Sequence, residues 1–277
     1  MNDIAVPPVC SWPATLKLGY VRTHQKTILA ERQRKGPLAV QRMLHPEGDV
    51  CHTYLLHPPG GVAGGDTLDI SVDVAANASA LVTTPGATKF YHSIGPQASL
   101  YQTLTVNDGC LEWLPQENIL FPGAVASLET HVILNGDAKF TGWEITCLGR
   151  PVIDESFSTG SLRSRLKIEK DGRLLLVDSL QVSSEQDLYS SAGLRGKPVT
   201  GTCAITVNES IPLDELRSIQ DPDSSHELGI TIVDGLLVAR YLGDSTEQAR
   251  KLFTRIWQST RPFVSSRPAC TPRIWNT

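Results

Sequence analysis

One loop in this sequence holds residues whose types and spacing could do chemistry. It runs from Pro58 to Asp66 and contains two glycine pairs, Gly60-Gly61 and Gly64-Gly65, before the closing aspartate. Glycines supply positive backbone angles, and an aspartate in a turn hydrogen-bonds to nearby amides. A turn between two strands explains the loop in that way. The alternative is that bare backbone and the Asp66 carboxylate line a passage or a contact surface.

Two further segments mix prolines, aromatic residues and charges. They run from Thr83 to Tyr91 and from Glu112 to Ala124, and both are predicted to be too irregular for plain strands. Their charged residues Lys89, Glu112 and Glu117 are interpreted first as solvated loop charges. Carboxylates beside glycine-rich backbone also suit hard or borderline divalent cations, although they bind them loosely.

The usual motifs of an enzyme are missing from the chain. There is no G-x-x-x-x-G-K-[ST] phosphate loop, no G-x-G-x-x-G and no G-x-S-x-G nucleophile elbow. His226-Glu227 begins like a zinc-protease motif, but Ile230 stands where the second histidine must be. On an extended strand Cys51 and His57 would lie about 20 Å apart, which is too far to share one ion. The sequence therefore predicts a protein that is not an enzyme.

The composition is that of a globular protein with no sign of a nucleic-acid or membrane partner. Of the 277 residues, 40% are hydrophobic, and the net charge is -4 with the basic residues scattered. No apolar run reaches the roughly 18 to 20 residues of a membrane helix, and the first residues lack the features of a secretion signal. We therefore expect a cytoplasmic protein that binds neither nucleic acid nor membrane. Its six cysteines include no C-x-x-C pair and are predicted to be free thiols, most of them buried.

Alternating polarity from Pro37 to about Val207 predicts a mainly β protein. The clearest strand is Leu68 to Val74, in which every second residue is apolar and shares one face. We expect a single domain over residues 1–277 that is strand-rich over 15–243, and the pattern itself leaves a sandwich, a barrel and a solenoid open. Similar runs occur at Cys51 to Leu56, Ser99 to Val106, Glu129 to Leu134, Lys139 to Cys147, Leu162 to Ile168, Arg173 to Leu180 and Thr202 to Val207.

Turn residues separate many of these strands. Asn107-Asp108-Gly109, Asn135-Gly136, Asp171-Gly172 and Asp234-Gly235 offer the positive backbone angles of tight turns. Each of the four is predicted to close a hairpin.

An amphipathic helix is predicted in the tail over residues 244–277. Asp244 or Ser245 supplies its N-cap, and Arg261-Pro262 should end it. A shorter helix is predicted from Ser210, with Pro212 in its first turn. The stripe of the long helix is expected to pack on the chain's own sheet, with a partner protein as the alternative. This stripe consists of Ala249, Leu252, Phe253, Ile256 and Trp257.

Three segments together resemble one protein family. Gly60-Gly-Val-Ala-Gly-Gly-Asp66, Thr84-Pro-Gly-Ala-Thr-Lys89 and Glu112-Trp-Leu-Pro-Gln-Glu117 are similar to the urease accessory protein UreD, called UreH in some organisms. The resemblance continues in the family's order through Leu120-Phe-Pro-Gly123, Gly149-Arg150, Arg240-Tyr-Leu-Gly243 and Pro272-Arg-Ile-Trp275, so that it spans nearly the whole chain. The matched loop residues are Gly60, Gly61, Gly64, Gly65, Pro85, Gly86, Lys89, Glu112, Trp113 and Glu117.

The resemblance implies an irregular β-solenoid or helicoid of many short strands, with a few helices near the C-terminal part. It also implies a scaffold that is not a catalyst and that binds UreF, which in turn recruits the GTPase UreG. The assembly then docks on apo-urease to deliver nickel. Two copies are expected in that assembly, the C-terminal region is the expected UreF contact, and no cofactor is expected to be tightly bound.

The family is also thought to pass nickel through an internal polar tunnel, which gives several residues an expected role. Asp66 matches the family's loop and is the first candidate for this path, followed by Thr84. Glu144, Asp178 and Glu185 are acidic positions on or near predicted strands that we expect to line it as well. Weak, exchangeable oxygen ligands suit transit, because a closed set of Cys and His would hold nickel too tightly.

Two other functions stay open at this point. The chain could be an enzyme that uses the loop from Glu112 to Glu117 or its scattered histidines, or it could store or sense nickel. Tight stoichiometric nickel binding would indicate storage, and weak binding would indicate transit.

Overall fold

The computed structural model describes residues 11–207, 211–219 and 225–276. Strands account for most of the regular structure, as predicted, and three α-helices accompany them in these ranges. In chain order, the elements are β1 (Pro13–Arg22), β2 (Thr27–Lys35), β3 (Ala39–Val40), β4 (Cys51–Leu56), β5 (Thr67–Val74), β6 (Ser79–Thr83), β7 (Thr88–Phe90), β8 (Ala98–Asn107), β9 (Cys110–Leu114), β10 (Asn118–Leu120), β11 (Val125–Asn135), β12 (Lys139–Arg150), β13 (Glu155–Ser156), β14 (Ser161–Lys170), β15 (Arg173–Val182), α1 (Glu185–Tyr189), β16 (Val199–Thr206), α2 (Leu213–Arg217), β17 (Glu227–Val233), β18 (Leu236–Gly243) and α3 (Thr246–Ser265).

The strands form two open sheets. Sheet 1 has seven strands in the order β15-β14-β11-β8-β5-β1-β2. Sheet 2 has the order β17-β18-β16-β12-β9-β6-β4-β3. In addition, β10 and β13 pair with β12, and β7 pairs with β10. Both sheets therefore end in edge strands, and the prediction of a mainly β protein is confirmed.

The middle of the chain crosses from one sheet to the other and back. Each crossing adds one parallel strand to sheet 1 (β5, β8, β11 and β14) or to sheet 2 (β4, β6, β9 and β12). Parallel neighbours need such long returns, because a tight hairpin can join only antiparallel strands. Every strand in this series consequently turns one face towards the other sheet.

The main core lies between the inner faces of the two sheets. In β5 the predicted alternation is confirmed, since Leu68, Ile70, Val72 and Val74 are buried while Asp69 is exposed. Apolar inner residues of sheet 2, such as Leu111 and Trp113, belong to the same cluster. Burial of this apolar area is the main stabilising term, at roughly 25 cal/mol per Å².

Two of the four predicted hairpins are wrong. Asp171-Gly172 and Asp234-Gly235 do join antiparallel neighbours, β14 to β15 and β17 to β18. The turns at Asn107 to Gly109 and at Asn135-Gly136, however, carry the chain from sheet 1 to sheet 2. Asp108 and Gly136 have the expected positive φ angles of 47° and 63°. The turn chemistry was therefore identified correctly, but it does not determine which sheet receives the next strand.

The C-terminal helix α3 covers the outer face of sheet 2. Its predicted N-cap is confirmed, because the Ser245 hydroxyl accepts a hydrogen bond from the Gln248 amide at 3.2 Å. The predicted apolar stripe is buried in a second core cluster with outer-face residues of sheet 2 such as Trp143 and Cys203. The helix thus packs on the chain's own sheet, as expected.

The predicted end of this helix at Arg261-Pro262 is wrong, since α3 continues to Ser265. Proline removes one helical hydrogen bond and disfavours helix before it. Here the residues on both sides of Pro262 are held by tertiary contacts, with Arg261 and Val264 both buried. Those contacts outweigh the local preference.

A buried ionic network fastens α3 to sheet 2. The Arg261 guanidinium, 2% exposed, donates to both oxygens of Glu112 at 2.8 and 2.9 Å and to both oxygens of Glu47 at 2.7 Å. The Trp257 indole also donates to Glu112, at 2.5 Å. Partial burial opposes ionisation of Glu47, but hydrogen bonds from His52 and Arg261 outweigh it and lower the pKa of the carboxyl to about 2.

Glu112 is therefore not the solvated loop charge that composition suggested. It lies on the face of β9 that α3 covers, and only 4% of it is exposed. The segments predicted to be irregular also contain the short strands β7, β9 and β10. Both errors arise because a covering helix lets a strand bury charge and aromatic residues on its second face.

The remaining predictions are met in part. Helix α2 begins at Leu213 after Pro212, whereas its predicted start at Ser210 lies outside the described residues. Free thiols are confirmed for Cys51, Cys110, Cys147, Cys203 and Cys270, the first, third and fourth of which are buried. Cys10 lies outside the described residues. Of the helices described, none combines the length and the apolar character needed to cross a bilayer.

Replacement of Arg261 with Met should destabilise the fold strongly. The change leaves the Glu47 and Glu112 carboxylates buried without their common cation, which costs about 3–5 kcal/mol. Urea denaturation followed by circular dichroism measures the free energy of unfolding. Arg255→Met is the matched control, because Arg255 is exposed on the same helix and donates to one carbonyl at 3.3 Å. A loss below 1 kcal/mol for Arg261→Met would show that the network contributes little.

Candidate functional site

The two sheets do not fill all the space between them. A cavity of about 180 Å³, which we call the loop cavity, opens beside the loop of residues 84–88. Its apolar wall comes from β4, β5 and β8, with Leu55, Ile70 and Leu100. Its polar lining consists of His57, Thr84, Thr88, Gln102, Gln116, Asn118 and Glu144.

A second cavity of about 150 Å³ lies near the free edge strand β15, and we call it the edge cavity. Strands β14 and β15 of sheet 1 and strands β12, β16 and β18 of sheet 2 surround it. Hydroxyl and carboxylate groups dominate the lining. They belong to Glu144, Thr146, Ser164, Asp178, Ser179, Thr200 and Thr202, with Arg240 also on the wall.

Glu144 lines both cavities. Its carboxylate accepts a hydrogen bond from the Thr130 hydroxyl, which lies 3.2 Å from Gln102 Oε1 on the neighbouring strand. Burial raises the pKa of Glu144 from 4.5 to about 7, the Thr130 bond opposes this rise, and the negative charge of Asp178 adds to it. At neutral pH the carboxyl group is therefore divided between its acid and its anion.

Trp113 lines the loop cavity together with Glu144. Its indole N–H is buried and has no protein acceptor among the described residues. A buried donor of this kind is commonly satisfied by water. A hydrated cavity therefore fits this side chain better than a dry one.

Asp178 stands on the opposite wall of the edge cavity from Glu144. One of its carboxylate oxygens accepts a hydrogen bond from the Thr202 hydroxyl at 2.5 Å, and the other lies 3.4 Å from Arg240 Nη2. The side chain of Asp178 is 28% exposed and that of Arg240 is 58% exposed. The edge cavity thus has a carboxylate at its opening.

The predicted residues of the nickel path are only partly brought together. Thr84, Glu144 and Asp178 line the two cavities. Glu185 is the first residue of helix α1 and not a strand position, and its side chain lies outside what the structure describes.

Asp66 has a local structural role. Its two oxygens accept the amides of Trp12 at 3.0 Å and of Ala63 at 2.9 Å, which closes the glycine loop. Asp66 does not line the loop cavity. Its charge nevertheless acts on His57, which does line that cavity. Burial lowers the pKa of His57, and Asp66 opposes this. The charge of Asp66 therefore reaches one residue of the cavity lining, and its part in nickel transfer stays a prediction.

The other residues of the family segments position these cavities. Gly60, Pro85 and Gly86 line the loop cavity. Gly65 has a φ angle of 93°, and a side chain at Gly61 would overlap the Tyr91 ring. The Lys89 carbonyl accepts the Val62 amide at 2.7 Å, which ties the glycine loop to β7. Gly64 lies in the same loop, packed against Ser93.

The acidic pair predicted in the third segment faces helix α3. Glu112 belongs to the Arg261 network described above. The side chain of Glu117 is 14% exposed and lies 3.8 Å from Arg250. These carboxylates hold α3 in place, and the cavity lining in this region comes from Trp113, Pro115 and Gln116.

The sequence interpretation missed Gln102, Thr130, Thr202 and Arg240. A usable signal existed for the first two, since each occupies an inward position between apolar residues on its strand. Gln102 lies between Leu100 and Leu104, and the structure pairs it directly with Thr130 on the neighbouring strand. A polar residue at such a position marks a place where the core is not dry.

The sequence interpretation also missed a group of possible metal ligands. Ligand atoms of Glu47, His52 and Cys270 lie within 4.8 Å of one another. Both oxygens of Glu47 are occupied by Arg261, and His52 Nε2 lies 2.7 Å from one of them. The permanent positive charge of Arg261 competes with any metal ion there, so this group is better explained as part of the network that fixes α3.

This chain is a mainly β protein in which two partly polar cavities interrupt the apolar core between two open sheets. The description "UreD urease accessory protein" belongs to the family model that matches residues 13–276. The chain therefore belongs to the UreD family of urease accessory proteins, which confirms the resemblance found in its loops.

Similar proteins extend over most of this chain. A urease accessory protein UreD of Alcanivorax borkumensis is 46% identical over 91% of the chain and 86% of that protein. Another, from Aliivibrio fischeri strain MJ11, is 46% identical over 96% of both proteins. One from Escherichia coli is 46% identical over 96% of the chain and 97% of that protein.

Replacement of Glu144 with Gln should change how stability depends on pH. Since the pKa of this carboxyl is raised in the folded state, its ionisation costs the folded chain stability as pH rises from about 4.5 through about 7. Gln keeps an oxygen that can accept from Thr130 but cannot ionise. We expect the variant to be within about 1 kcal/mol of the natural chain near pH 5 and to be more stable by up to about 3 kcal/mol at pH 8.

Urea denaturation at both pH values measures this difference. Glu129→Gln is the control, because Glu129 is exposed on β11 beside Thr130. A stability difference that is the same at pH 5 and pH 8 would contradict a raised pKa for Glu144.

Proposed function

We propose that this chain serves urease maturation by giving nickel a polar path between its two sheets. In this proposal nickel is cargo, which enters one cavity, passes Glu144 and leaves by the other. Thr84 lies in the loop cavity and Asp178 in the edge cavity, one on each side of that carboxyl group. UreD family membership supplies the link to urease.

The observation that carries the proposal is the position of Glu144. A single carboxyl group lines two cavities, one beside the loop of residues 84–88 and one near the edge strand β15, and each also contains hydroxyl groups. Cavities that serve only as packing defects are lined by apolar groups and stay dry. The polar groups in these two linings support passage of a species that is charged and hydrated.

The chemistry of the lining suits transit better than storage. Carboxylate and hydroxyl oxygens bind a borderline divalent ion more weakly than imidazole and thiolate do. With its pKa near 7, Glu144 also exchanges a proton for a metal ion at little cost at neutral pH. A closed set of nitrogen and sulfur ligands would instead favour retention.

The alternatives are less well supported by the same residues. An enzyme that uses Glu112 would need a carboxyl group free to exchange protons, yet three donor atoms of Trp257 and Arg261 occupy it. A nickel store at Glu47, His52 and Cys270 would have to displace Arg261. In both places the carboxylate that the function would need already binds Arg261.

Nickel loading of urease tests the proposal at Glu144. We expect Glu144→Gln to slow activation of apo-urease by nickel several-fold, because the path loses its central anion. Glu129→Gln should activate urease at the natural rate. If Glu144→Gln folds with the stability predicted above and still loads nickel normally, the path does not pass this residue.

The partners are part of the same proposal. The chain is expected to bind UreF and, through it, UreG, and to dock on apo-urease in the cytoplasm with two copies in the assembly. Pull-down of the tagged chain from cells that express all components should recover UreF, UreG and urease, and light scattering should give two copies. A chain that never joins such a complex, and whose loss leaves urease fully active, would contradict this role.

A further inference from the structure

An arginine stands at the opening of the edge cavity, directly beside the carboxylate that a leaving cation would meet. Arg240 belongs to β18, and its cross-strand neighbour on β16 is Thr202. Both side chains reach across to Asp178 on β15, which belongs to the other sheet. The ion pair therefore spans the opening from sheet 2 to sheet 1.

This ion pair occupies Asp178 without burying it. The Thr202 hydroxyl takes one carboxylate oxygen, and the Arg240 guanidinium lies 3.4 Å from the other. Arg240 is more than half exposed, so its long side chain can leave the carboxylate for water at little cost. Exposed ion pairs of this kind are easily exchanged for other partners.

The guanidinium acts on a cation in two ways. It competes for the Asp178 oxygen that a metal ion would use, and its charge repels a divalent ion a few ångströms away. Unlike a dissolved cation it cannot diffuse off, and the guanidinium stays charged at every physiological pH. A tethered competitor of this type lowers affinity without removing the ligand.

We propose that Arg240 sets the divalent-cation affinity of Asp178 and keeps it weak enough for release from the edge cavity. This inference rests on the proposed passage of nickel and adds a residue that limits how long the ion stays. Asp178 supplies the ligand and Arg240 limits its occupancy. Removal of the positive charge should turn a site of passage into a site of retention.

Nickel binding by the purified chain, measured by equilibrium dialysis, tests this directly. We expect Arg240→Gln to bind Ni²⁺ at one site roughly tenfold more tightly than the natural chain, from the repulsion of a divalent ion by one charge at about 5 Å in water. Arg240→Lys keeps the charge and should restore weak binding. The double variant Arg240→Gln with Asp178→Asn should lose the gain.

Arg173→Gln is the matched control. Like Arg240, Arg173 is an exposed arginine, but it lies on β15. Its ion pair with Asp234, at 2.7 Å, also joins sheet 1 to sheet 2. It does not line the edge cavity, so its loss should leave nickel affinity unchanged. A thermal unfolding curve for each variant verifies that the fold is intact.

Two results would overturn the inference: unchanged nickel affinity in Arg240→Gln, or a gain that persists when Asp178 is replaced. Neither depends on urease, so a failure here is distinct from a failure of the nickel path itself. In the loading assay, the expected signature of Arg240→Gln is slower transfer to urease together with tighter binding. If Arg240 had only a structural role, the variant would transfer nickel more slowly and would also bind it more weakly.

Discussion

A carboxyl group cannot be held between two packed β-sheets unless it has polar partners or water, and this constraint shapes the interior of the protein. Glu144 projects from sheet 2 into a space that is elsewhere filled by leucine, valine and isoleucine. Transfer of its anion into an apolar core would be prohibitive, so the neighbourhood must stay polar. Thr130 and Gln102 on the facing sheet meet that need, and the apolar core gives way to two cavities around them.

The same constraint explains why the outer face of sheet 2 is so firmly fastened. A sheet that borders a cavity has less packing on that face than a sheet that borders a filled core. Helix α3 adds stabilising contacts on the outer face of the sheet, where Arg261 binds the carboxylates of Glu47 and Glu112. The tail after the helix adds a hydrogen bond from the Trp275 indole to Thr83 at 2.9 Å, next to Thr84 of the loop cavity. The sheet whose inner face borders the cavities is thus held on its outer face by buried charge.

Local patterns in the sequence predicted the strands well, because period-two alternation depends on one face being buried. Residues Leu68 to Val74 show this directly, as does the N-cap of α3 at Ser245. The connections were harder to predict. Asn107 to Gly109 has the chemistry of a hairpin turn but joins two sheets, and Pro262 lies inside a helix that distant carboxylates hold. Both outcomes depend on contacts between residues far apart in the sequence.

The candidate site divides in the same way. Glu144 and Asp178 were identified as acidic positions, but their placement around one cavity follows from the alternation of the chain between sheets, which no local motif encodes. Glu112 was interpreted as a solvated charge because nothing nearby in the sequence reveals Arg261, 149 positions away. Asp66, the most obvious residue of the glycine loop, closes that loop through two backbone amides, which is the turn role that its residue type predicts.

The most direct test of whether a cation occupies this interior is anomalous diffraction at the nickel edge. It uses nickel-soaked crystals of the chain in complex with UreF and UreG. A polar path predicts partly occupied peaks inside the cavities, with oxygen of Glu144 or Asp178 about 2.0–2.2 Å from the metal, as for other first-row ions. Nickel confined to surface histidines, with both cavities free of metal and water, would contradict it.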